Sequence, residues 1–435
     1  MKFSLVLTLA LFTSFAGLGG ESYYLSASGD DAADGRSPET AWRTLGKVKT
    51  SLPGGAELRL RRGDVFYGPL RIRGGRDADH PTRVTTWGEG AKPVISLYKI
   101  VKPDPSVWQA ESNGIWRLDL TKSGNLSGNP DPRNNIGFIL ADGKIHGFRK
   151  FNGKPLAAEW DYAEGKDGVL HVRCSRNPAE AAKDIRLAPQ VGGIPFVRNA
   201  VFDSLVVRGT GAHGSNGVGS DLVFRNCEFR EIGGSVLMVH ENGEHVRYGN
   251  GVECWAGSTR IRVENCAFSD IYDVAFTMQG RQPSRSWENV HMTGCTVERC
   301  TQAFEVWTTG CKPGIGLKGC SFTRNTCVDC GFCWGYDTRP NKDCSAPLLM
   351  YSLQTDVCDI LVSDNDFVNY RNYLVYKGGG LQHLPEGYRI VGNRIRGPVS
   401  AIGSHPRQRA KPEYRAREEK IRKDNVFSLL NRREE

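Results

Sequence analysis

Two short segments of the sequence place a glutamate two residues before a tryptophan. NGVECW at residues 250–255 contains Glu253 and Trp255, and QAFEVW at residues 302–307 contains Glu305 and Trp307. Side chains alternate along a β-strand, so each glutamate shares a face with its tryptophan. Paired carboxyl groups can act as acid and base in cleaving a glycosidic bond, and an indole ring offers a flat apolar surface for a sugar ring. The two segments are therefore candidates for one carbohydrate-processing site.

The apolar residues of these segments set a register that includes two further segments. GVECW, AFTMQ, AFEVW and GFCWG align with one another. The inward column of this alignment is Val252, Phe276, Phe304 and Phe332, and the outward column is Glu253, Thr277, Glu305 and Cys333. Strands about 4.8 Å apart would separate the Cα atoms of the two glutamates by about 10 Å. Their carboxyl groups could then reach the roughly 6.5–9.5 Å separation of inverting glycosidases, on an exposed wall that also carries both tryptophans.

Other polar residues extend this candidate site. Asp273 precedes the middle strand and can assist or replace either glutamate. If Asp273 paired with one of them on an adjacent strand, a retaining mechanism would become possible. Three carboxyl groups in one cleft push their pKa values apart, so that one stays protonated while another is ionised. The candidate substrate-binding residues lie on the outward face and on the loop at 240–250: Trp255, Trp307, Gln279, His240, Arg247, Tyr248 and Arg281.

An eight-residue phrase recurs six times after residue 200 and predicts how the strands stack. Its copies are LVFRNCEF, IRVENCAF, VHMTGCTV, IGLKGCSF, ILVSDNDF and YRIVGNRI. Apolar residues at alternate positions are typical of strands, and a repeat of about 25 residues indicates a parallel β-solenoid. We expect the sixth position of the phrase to form an internal ladder of Cys227, Cys266, Cys295, Cys320, Asn365 and Asn393.

The remaining cysteines allow two other roles. Cys327, Cys330 and Cys333 in CVDCGFC have a spacing that resembles metal ligands, but a zinc site needs a second pair, so we predict no metal. The sequence has 13 cysteines, an odd number, so at least one thiol is free or pairs outside the chain. A surface disulfide is expected among the cysteines that lie in insertions, which are Cys311, Cys344 and Cys358.

The N-terminus predicts export. Lys2, the apolar run at 3–15 and the small residues at 16–20 are typical of a cleaved signal peptide, and no later run is long enough to span a membrane. Much of the net charge of +9 lies at 405–435, and no nucleic-acid recognition motif is present. We therefore expect a secreted or periplasmic monomer that binds a polysaccharide or oligosaccharide and does not bind nucleic acid.

Three N-terminal segments carry a resemblance to a known group of proteins. YYLSASGDDAADGRSPETAWRTLGKV, RLRRGDVFYGPLRIRGG and TRVTTWGEGAKPVI resemble the opening coils of secreted right-handed parallel β-helix proteins of the pectate-lyase-like superfamily. The resemblance covers residues 22–95 and about 190–400, and it implies an all-β fold, a right-handed parallel β-helix with an inserted small β-subdomain. The expected divisions are a signal peptide at 1–20, a cap and first coils at 21–95, the inserted subdomain at 96–190, the main coils at 191–403 and a charged tail or cap at 404–435.

Three functions stay open at this point. The first is a cofactor-free glycoside hydrolase that cleaves a plant, algal or host polysaccharide with the three carboxyl groups named above. The second is a polysaccharide lyase acting on a uronate polymer by β-elimination, with His240, Arg247 or Arg281 as the base and calcium held by the acidic residues. The third is a non-catalytic carbohydrate-binding surface protein on the same scaffold.

Overall fold

The computed structural model describes residues 20–339, 344–378, 384–398, 402–403 and 412–428. Residues 1–19 of the predicted signal peptide lie outside the described residues, as do residues 404–411 and 429–435 of the predicted tail. Strands dominate the described chain. Its α-helices are Leu45–Ser51, Pro178–Ala181, Trp334–Thr338 and Pro412–Asp424, and its 3-10 helices are Pro105–Val107 and Ser112–Gly114.

Three long sheets of parallel strands form the body of the protein. Sheet 1 contains Ser22–Leu25, Glu57–Arg61, Thr82–Trp87, Arg198–Asp203, Ser220–Arg225, Thr259–Glu264, Trp287–Thr293, Gly316–Thr323, Val357–Ser363 and Tyr388–Val391. Sheet 2 contains Val65–Tyr67, Val94–Ser96, Val206–Thr210, Glu228–Ile232, Ala267–Ile271, Thr296–Glu298, Thr326–Val328, Asp366–Val368, Arg394–Arg396 and Val426–Ser428. Sheet 3 contains Ile194–Pro195, Ser215–Gly217, Val252–Trp255, Val274–Arg281, Gln302–Thr309, Leu348–Leu353, Val375–Gly378 and Ile402–Gly403.

The first coils contribute strands to sheets 1 and 2, and from Ile194 to Gly403 the chain visits the three sheets in turn, so each circuit there adds one strand to each sheet. Ser220–Arg225, Glu228–Ile232 and Val252–Trp255 form one such coil, and Thr259–Glu264 begins the next. This architecture is a parallel β-helix, which confirms the fold predicted from the repeat and implied by the resemblance to the pectate-lyase-like superfamily.

Aromatic side chains stack from coil to coil inside the cylinder. The rings of Phe202 and Phe224 lie 5.1 Å apart on adjacent strands of sheet 1, and those of Phe229 and Phe268 lie 5.2 Å apart on sheet 2. All four side chains are buried. Because alternate residues face the interior, the period of two in the sequence becomes a continuous apolar core.

The fifth position of the repeated phrase makes the corner between sheets 1 and 2. Every copy has a positive φ there, a conformation that glycine and asparagine adopt most readily. The six residues are Asn226, Asn265, Gly294, Asp364, Gly392 and, with the fourth copy realigned as CSFTRNTC, Arg324, and their φ values lie between 51° and 68°. In the first three copies, the dipeptide NC or GC therefore consists of the corner residue and the first residue after the corner that faces the interior.

The internal ladder follows that corner, and it corrects one predicted member. Asn325, not Cys320, occupies the sixth position of the fourth copy, because Phe322 pairs with Met292 and Val362 at the third position. The Cys295 backbone N–H donates to Asn325 Oδ1 at 2.9 Å. The completed ladder is Cys227, Cys266, Cys295, Asn325, Asn365, Asn393 and Asn425. The alignment failed because it used the pair Cys320 and Phe322 as its guide and overlooked the true copy, CSFTRNTC.

Two antiparallel sheets interrupt the coils between Ser96 and Ile194. The first contains Lys144–His146, Ile139–Ala141, Ile185–Leu187, Lys99–Val101 and Leu126–Gly128. The second contains Tyr162–Glu164, Val169–Arg173, Ile115–Asp119 and Trp108–Ala110. They share a separate apolar core that includes Trp108, Tyr162 and Leu170. Trp108 and Trp160 belong to this core, and half-buried Trp116 packs against it.

The C-terminal segment continues the β-helix. After the helix Pro412–Asp424, Asn425 accepts a hydrogen bond from the Asn393 backbone N–H at 2.9 Å. Val426–Ser428 then pairs in parallel with Arg394–Arg396 on sheet 2. The charged sequence at this end therefore contributes a further rung to the coil.

All 13 cysteines lie in the described residues, and none of them forms a disulfide. The surface disulfide expected among Cys311, Cys344 and Cys358 is therefore absent, because the cysteines serve instead as small side chains in and around the core. None of the helices in the described part of the chain has the length and apolar character needed to cross a membrane.

Candidate active site

Sheet 3 brings the two glutamates into the predicted register. Glu253 pairs with Thr277, and Thr277 pairs with Glu305, so the two glutamates lie two strands apart. Their neighbours Val252 and Phe304 point into the core. Two strand spacings correspond to about 10 Å between the Cα atoms.

The fourth segment of the predicted alignment does not belong to this sheet. Leu348–Leu353 is the next strand, and Leu349 pairs with Glu305 where Cys333 was expected. Cys333 instead caps the helix Trp334–Thr338, and Phe332 is exposed. The segment containing GFCWG leaves the coil, so its apolar pattern does not mark a strand of sheet 3. The chain rejoins the sheet after Pro347.

The side chains of the two glutamates are much less exposed to solvent than the sequence analysis predicted. Glu253 is 2% exposed and Glu305 is 7% exposed, although both side chains leave the sheet on its outer face. His213 and Asn250 contact Glu253, and Thr277 and Gln279 contact Glu305. The predicted solvated wall is therefore wrong, because residues of neighbouring turns and strands cover both carboxyl groups.

Glu253 lies in a polar cluster that begins with a histidine from the preceding coil. Asn250 Nδ2 donates to Glu253 Oε2, while the Asn250 backbone N–H donates to His213 Nδ1 at 3.1 Å. Nδ1 therefore accepts a hydrogen bond through its lone pair and has no proton of its own to donate. Its 3.3 Å contact with Glu253 Oε2 is for this reason not a hydrogen bond donated by the histidine. Burial lowers the pKa of His213, which agrees with a neutral ring protonated at Nε2. Tyr248 packs edge-on against this ring, with 4.8 Å between centroids.

Glu305 is the most perturbed carboxyl group of the site. Burial raises its pKa to about 8, and repulsion from Asp273 and Glu253 acts in the same direction. Thr277 Oγ1 donates to its Oε2 at 2.9 Å, and Gln279 Nε2 donates to the same oxygen at 2.6 Å, which limits the rise. Glu305 is accordingly protonated at neutral pH.

Asp273 reaches the same cluster and is held by an arginine that sequence analysis missed. Arg339 Nη2 donates to Asp273 Oδ1 at 2.9 Å, and the guanidinium also lies over the ring of Tyr272. Arg339 follows the helix Trp334–Thr338, 66 residues from Asp273 in the chain. No local pattern could have linked the two, because a salt bridge across such a distance depends on how the segment that leaves the coil folds.

A row of aromatic side chains, interrupted by Gln279, runs beside the carboxyl groups. Trp255 pairs with Gln279, Gln279 with Trp307 and Trp307 with Tyr351. Trp255 is 36% exposed and Tyr351 is 41% exposed, while Trp307 is half-buried. Tyr351 was absent from the predicted site, although its register in LLMYSL would have revealed it once the correct fourth strand was known. This row offers apolar faces at regular strand spacing.

The loop at 240–250 forms a hairpin with the strands Ser235–Val239 and His245–Tyr248. Tyr248 reaches the site, where its hydroxyl accepts a hydrogen bond from Gln190 Nε2 at 3.0 Å. His240 lies exposed in the turn, and among the described residues no contact joins it to the three carboxyl groups. Arg281 is exposed at the end of its strand, on the same face as Gln279.

Arg247 corrects an expectation, because it is a structural clamp and does not overhang the groove. Its Nε donates to Gly234 O at 2.6 Å, its Nη1 to Gly147 O at 3.0 Å and its Nη2 to Gly137 O at 2.7 Å. The guanidinium is buried and joins the hairpin to the inserted sheets. It is therefore committed to the backbone and cannot bind a sugar or act as a base.

No set of three His, Cys, Asp or Glu side chains in the described ranges converges as a ligand set for a metal ion. In the described part of the site, the carboxyl groups instead contact amide, hydroxyl, imidazole and guanidinium groups.

No protein-family profile matches the sequence, and no curated protein matches it. Three solved structures illustrate its similarities of shape. XylC in complex with xylose is 9% identical over 94% of this chain and 82% of that chain, with a TM-score of 0.48. A GH136 lacto-N-biosidase from Eubacterium ramulus is 11% identical over 94% and 67%, with a TM-score of 0.39. The pectate lyase Pel9A is 12% identical over 88% and 77%, with a TM-score of 0.40. These likenesses carry no information on the reaction of this chain.

Proposed function

We propose that this protein is a glycoside hydrolase in which Glu305 is the general acid and Glu253 the general base. One observation carries the proposal: Glu305, with a pKa raised to about 8, lies on one face with a second carboxyl group and a row of aromatic residues. Glycoside hydrolysis requires a protonated carboxyl group and an ionised one on opposite sides of the scissile bond.

The hydrogen bonds to Glu305 identify which oxygen carries the proton. Thr277 and Gln279 both donate to Oε2, so Oε2 is the acceptor oxygen. The acidic proton then lies on Oε1, which has no hydrogen-bond partner among the described residues. From Oε1 the proton passes to the glycosidic oxygen as the bond to the leaving group breaks.

Glu253 supplies the second carboxyl group of the mechanism. Asn250 holds its Oε2, and the strand spacing places its Cα about 10 Å from that of Glu305. This spacing leaves room for a water molecule between the base and the sugar, so we propose hydrolysis with inversion. Asp273 is held by Arg339, and its part is to raise the pKa of Glu305 by repulsion.

Trp255, Trp307 and Tyr351 would stack on the sugar rings of an oligosaccharide or polysaccharide, with Gln279 and Tyr248 at its polar edges. The apolar run at 3–15 in the sequence supports export as part of this proposal, since polymeric substrates are met outside the cell. We propose that the protein acts as a monomer.

The test is a screen of the exported protein against a broad panel of glycans, followed by Glu305→Gln and Glu253→Gln. We expect the parent to release reducing ends without absorbance near 235 nm, and each variant to lose at least about 100-fold in kcat/KM. Glu89→Gln is the matched control, since Glu89 is exposed in a turn of the first coils. A rise in absorbance near 235 nm would establish a lyase. Full activity in both glutamine variants, or no turnover of any glycan by the parent, would refute the assignment.

A further inference from the structure

A cleft of about 440 Å³ lies at the corner where the chain passes from sheet 3 to sheet 1. Its charged lining residues are Arg198, Arg260, Arg285, Lys318 and Glu288. Cations therefore outnumber carboxylates four to one in its wall.

Two of these cations have no counter-ion. Arg260 forms a bidentate ion pair with Asp221 at 2.6 Å, and Lys318 Nζ lies 3.7 Å from Glu288. Arg198 and Arg285 are exposed, and neither has a carboxylate partner among the described residues. Two uncompensated guanidinium groups in a concave wall attract a planar or tetrahedral anion.

The turn geometry allows Arg285 to lie against the backbone. Gly257 has a φ of 93°, and a Cβ atom there would lie 3.2 Å from Arg285 Cδ. A larger residue would be strained at this φ and would crowd the arginine stem. Gly257 therefore permits the close approach that puts Arg285 on the cleft wall.

The cleft lies beside the candidate active site and spans several coils, of which that of Arg198 precedes the coil of Glu253. Gly257 comes two residues after Trp255, and Arg285 and Lys318 belong to the next two coils, which also carry Thr277 and Glu305. Trp255 lies two strand residues beyond Glu253, about 7 Å along the strand, and the turn at Ala256 and Gly257 then leads to the cleft. A substituent of a glycan stacked on Trp255 that projects in the strand direction, away from Glu253, thus faces the cleft.

We infer that Arg198 and Arg285 form an anion-binding subsite for a carboxylate or sulfate group on the glycan. The inference rests on the proposed function, because it extends the groove of the same site. It makes the substrate an acidic glycan, bound by its charge on the far side of the aromatic row from the carboxyl groups. This arrangement keeps the anionic group away from Asp273 and Glu253, which would repel it.

Binding can be measured without turnover in the Glu305→Gln background. The probes are polygalacturonate and its methyl ester, and dextran sulfate and dextran, each tested by affinity electrophoresis at low and high salt. At least one charged polymer should bind about tenfold more tightly than its uncharged counterpart, with the difference reduced at high salt. Preference for polygalacturonate alone identifies a carboxylate site, and preference for dextran sulfate alone a sulfate site.

Arg198→Ala combined with Arg285→Ala should abolish this preference. Arg396→Ala is the matched control, because Arg396 is exposed on sheet 2, and it should retain the preference. The inference is overturned if no charged polymer binds better than its neutral partner, or if the double variant binds like its parent. Either result overturns only the anion-binding inference. The hydrolase proposal still holds if the parent is active and the Glu305→Gln variant is not. Conversely, the parent protein could prefer the charged polymer in the binding assay and yet turn over no glycan. That result would refute only the hydrolase proposal.

Discussion

At the scale of single residues, the proposed chemistry depends on the state of one buried carboxyl group. Glu305 leaves water on folding, and within the described ranges its carboxyl group accepts two hydrogen bonds, from Thr277 and Gln279. Desolvation therefore dominates the rise of its pKa, and the charge of Asp273 adds to it. The two donors on one oxygen position the group without forcing it to ionise.

Asp273→Asn tests the electrostatic part of this account. Loss of the negative charge removes repulsion, so the pKa of Glu305 falls from about 8 and the alkaline limb of kcat/KM moves to lower pH, by about one unit. The measurement is a pH profile of kcat/KM on the substrate found in the screen. Asp359→Asn, at an exposed ion pair with Arg389, should leave the limb in place. An unchanged limb in Asp273→Asn would show that Asp273 does not act on the acid.

At the scale of elements, apolar periodicity in the sequence was sufficient to place Glu253 and Glu305 on one sheet in the right register. It failed beyond Thr309, because the sequence GFCWG at 331–335 has an apolar pattern but leaves the coil, and the next strand of the sheet begins at Leu348. Periodicity also could not reveal burial. His213 and Arg339 come from a preceding coil and from the segment that leaves the coil, and only the folded chain brings them to the carboxyl groups.

The ladder gives an element-scale prediction at Asn325. Asn325→Ala removes the acceptor of the Cys295 N–H and the donor to Met292 O and Asn365 Oδ1, at a cost of about 1–3 kcal/mol in the free energy of unfolding. Asn325→Cys should cost less, because Cys295 Sγ already accepts a backbone N–H at the equivalent position of its own coil. Urea unfolding of both variants measures the difference. Equal losses for alanine and cysteine would contradict the interchange of the two residue types in the ladder.

At the scale of the whole molecule, the β-helix supplies the strands that carry the carboxyl groups, and the inserted sheets hold the hairpin whose Tyr248 packs against His213. The clamp of Arg247 ties the hairpin to the insertion through the carbonyl groups of Gly137 and Gly147, and its third hydrogen bond goes to Gly234 O at the base of the hairpin. Burial of the active carboxyl groups is therefore a property of the assembled fold. It also links the titration of Glu305 to the stability of the protein.

That linkage predicts a pH-dependent stability difference between the parent and Glu305→Gln. The folded pKa of about 8 exceeds the unfolded value of about 4.5, so the native state holds the proton more tightly. Below about pH 4.5 this contribution is fully present, and it is lost as the pH rises toward about 8, at no more than about 1.4 kcal/mol per unit. Urea unfolding from pH 5 to pH 8.5 should show the variant gaining stability relative to the parent. Parallel curves would contradict a raised pKa.

The central claim is that Glu305 holds its proton at neutral pH, and infrared difference spectroscopy tests it most directly. The spectrum of the parent minus that of Glu305→Gln isolates the carbonyl stretch of the protonated carboxyl group, which can be followed as the pH is raised. We predict that this band persists at pH 7 and disappears with a midpoint near 8. A midpoint near 4.5 would mean that Glu305 is ionised at neutral pH and cannot be the acid.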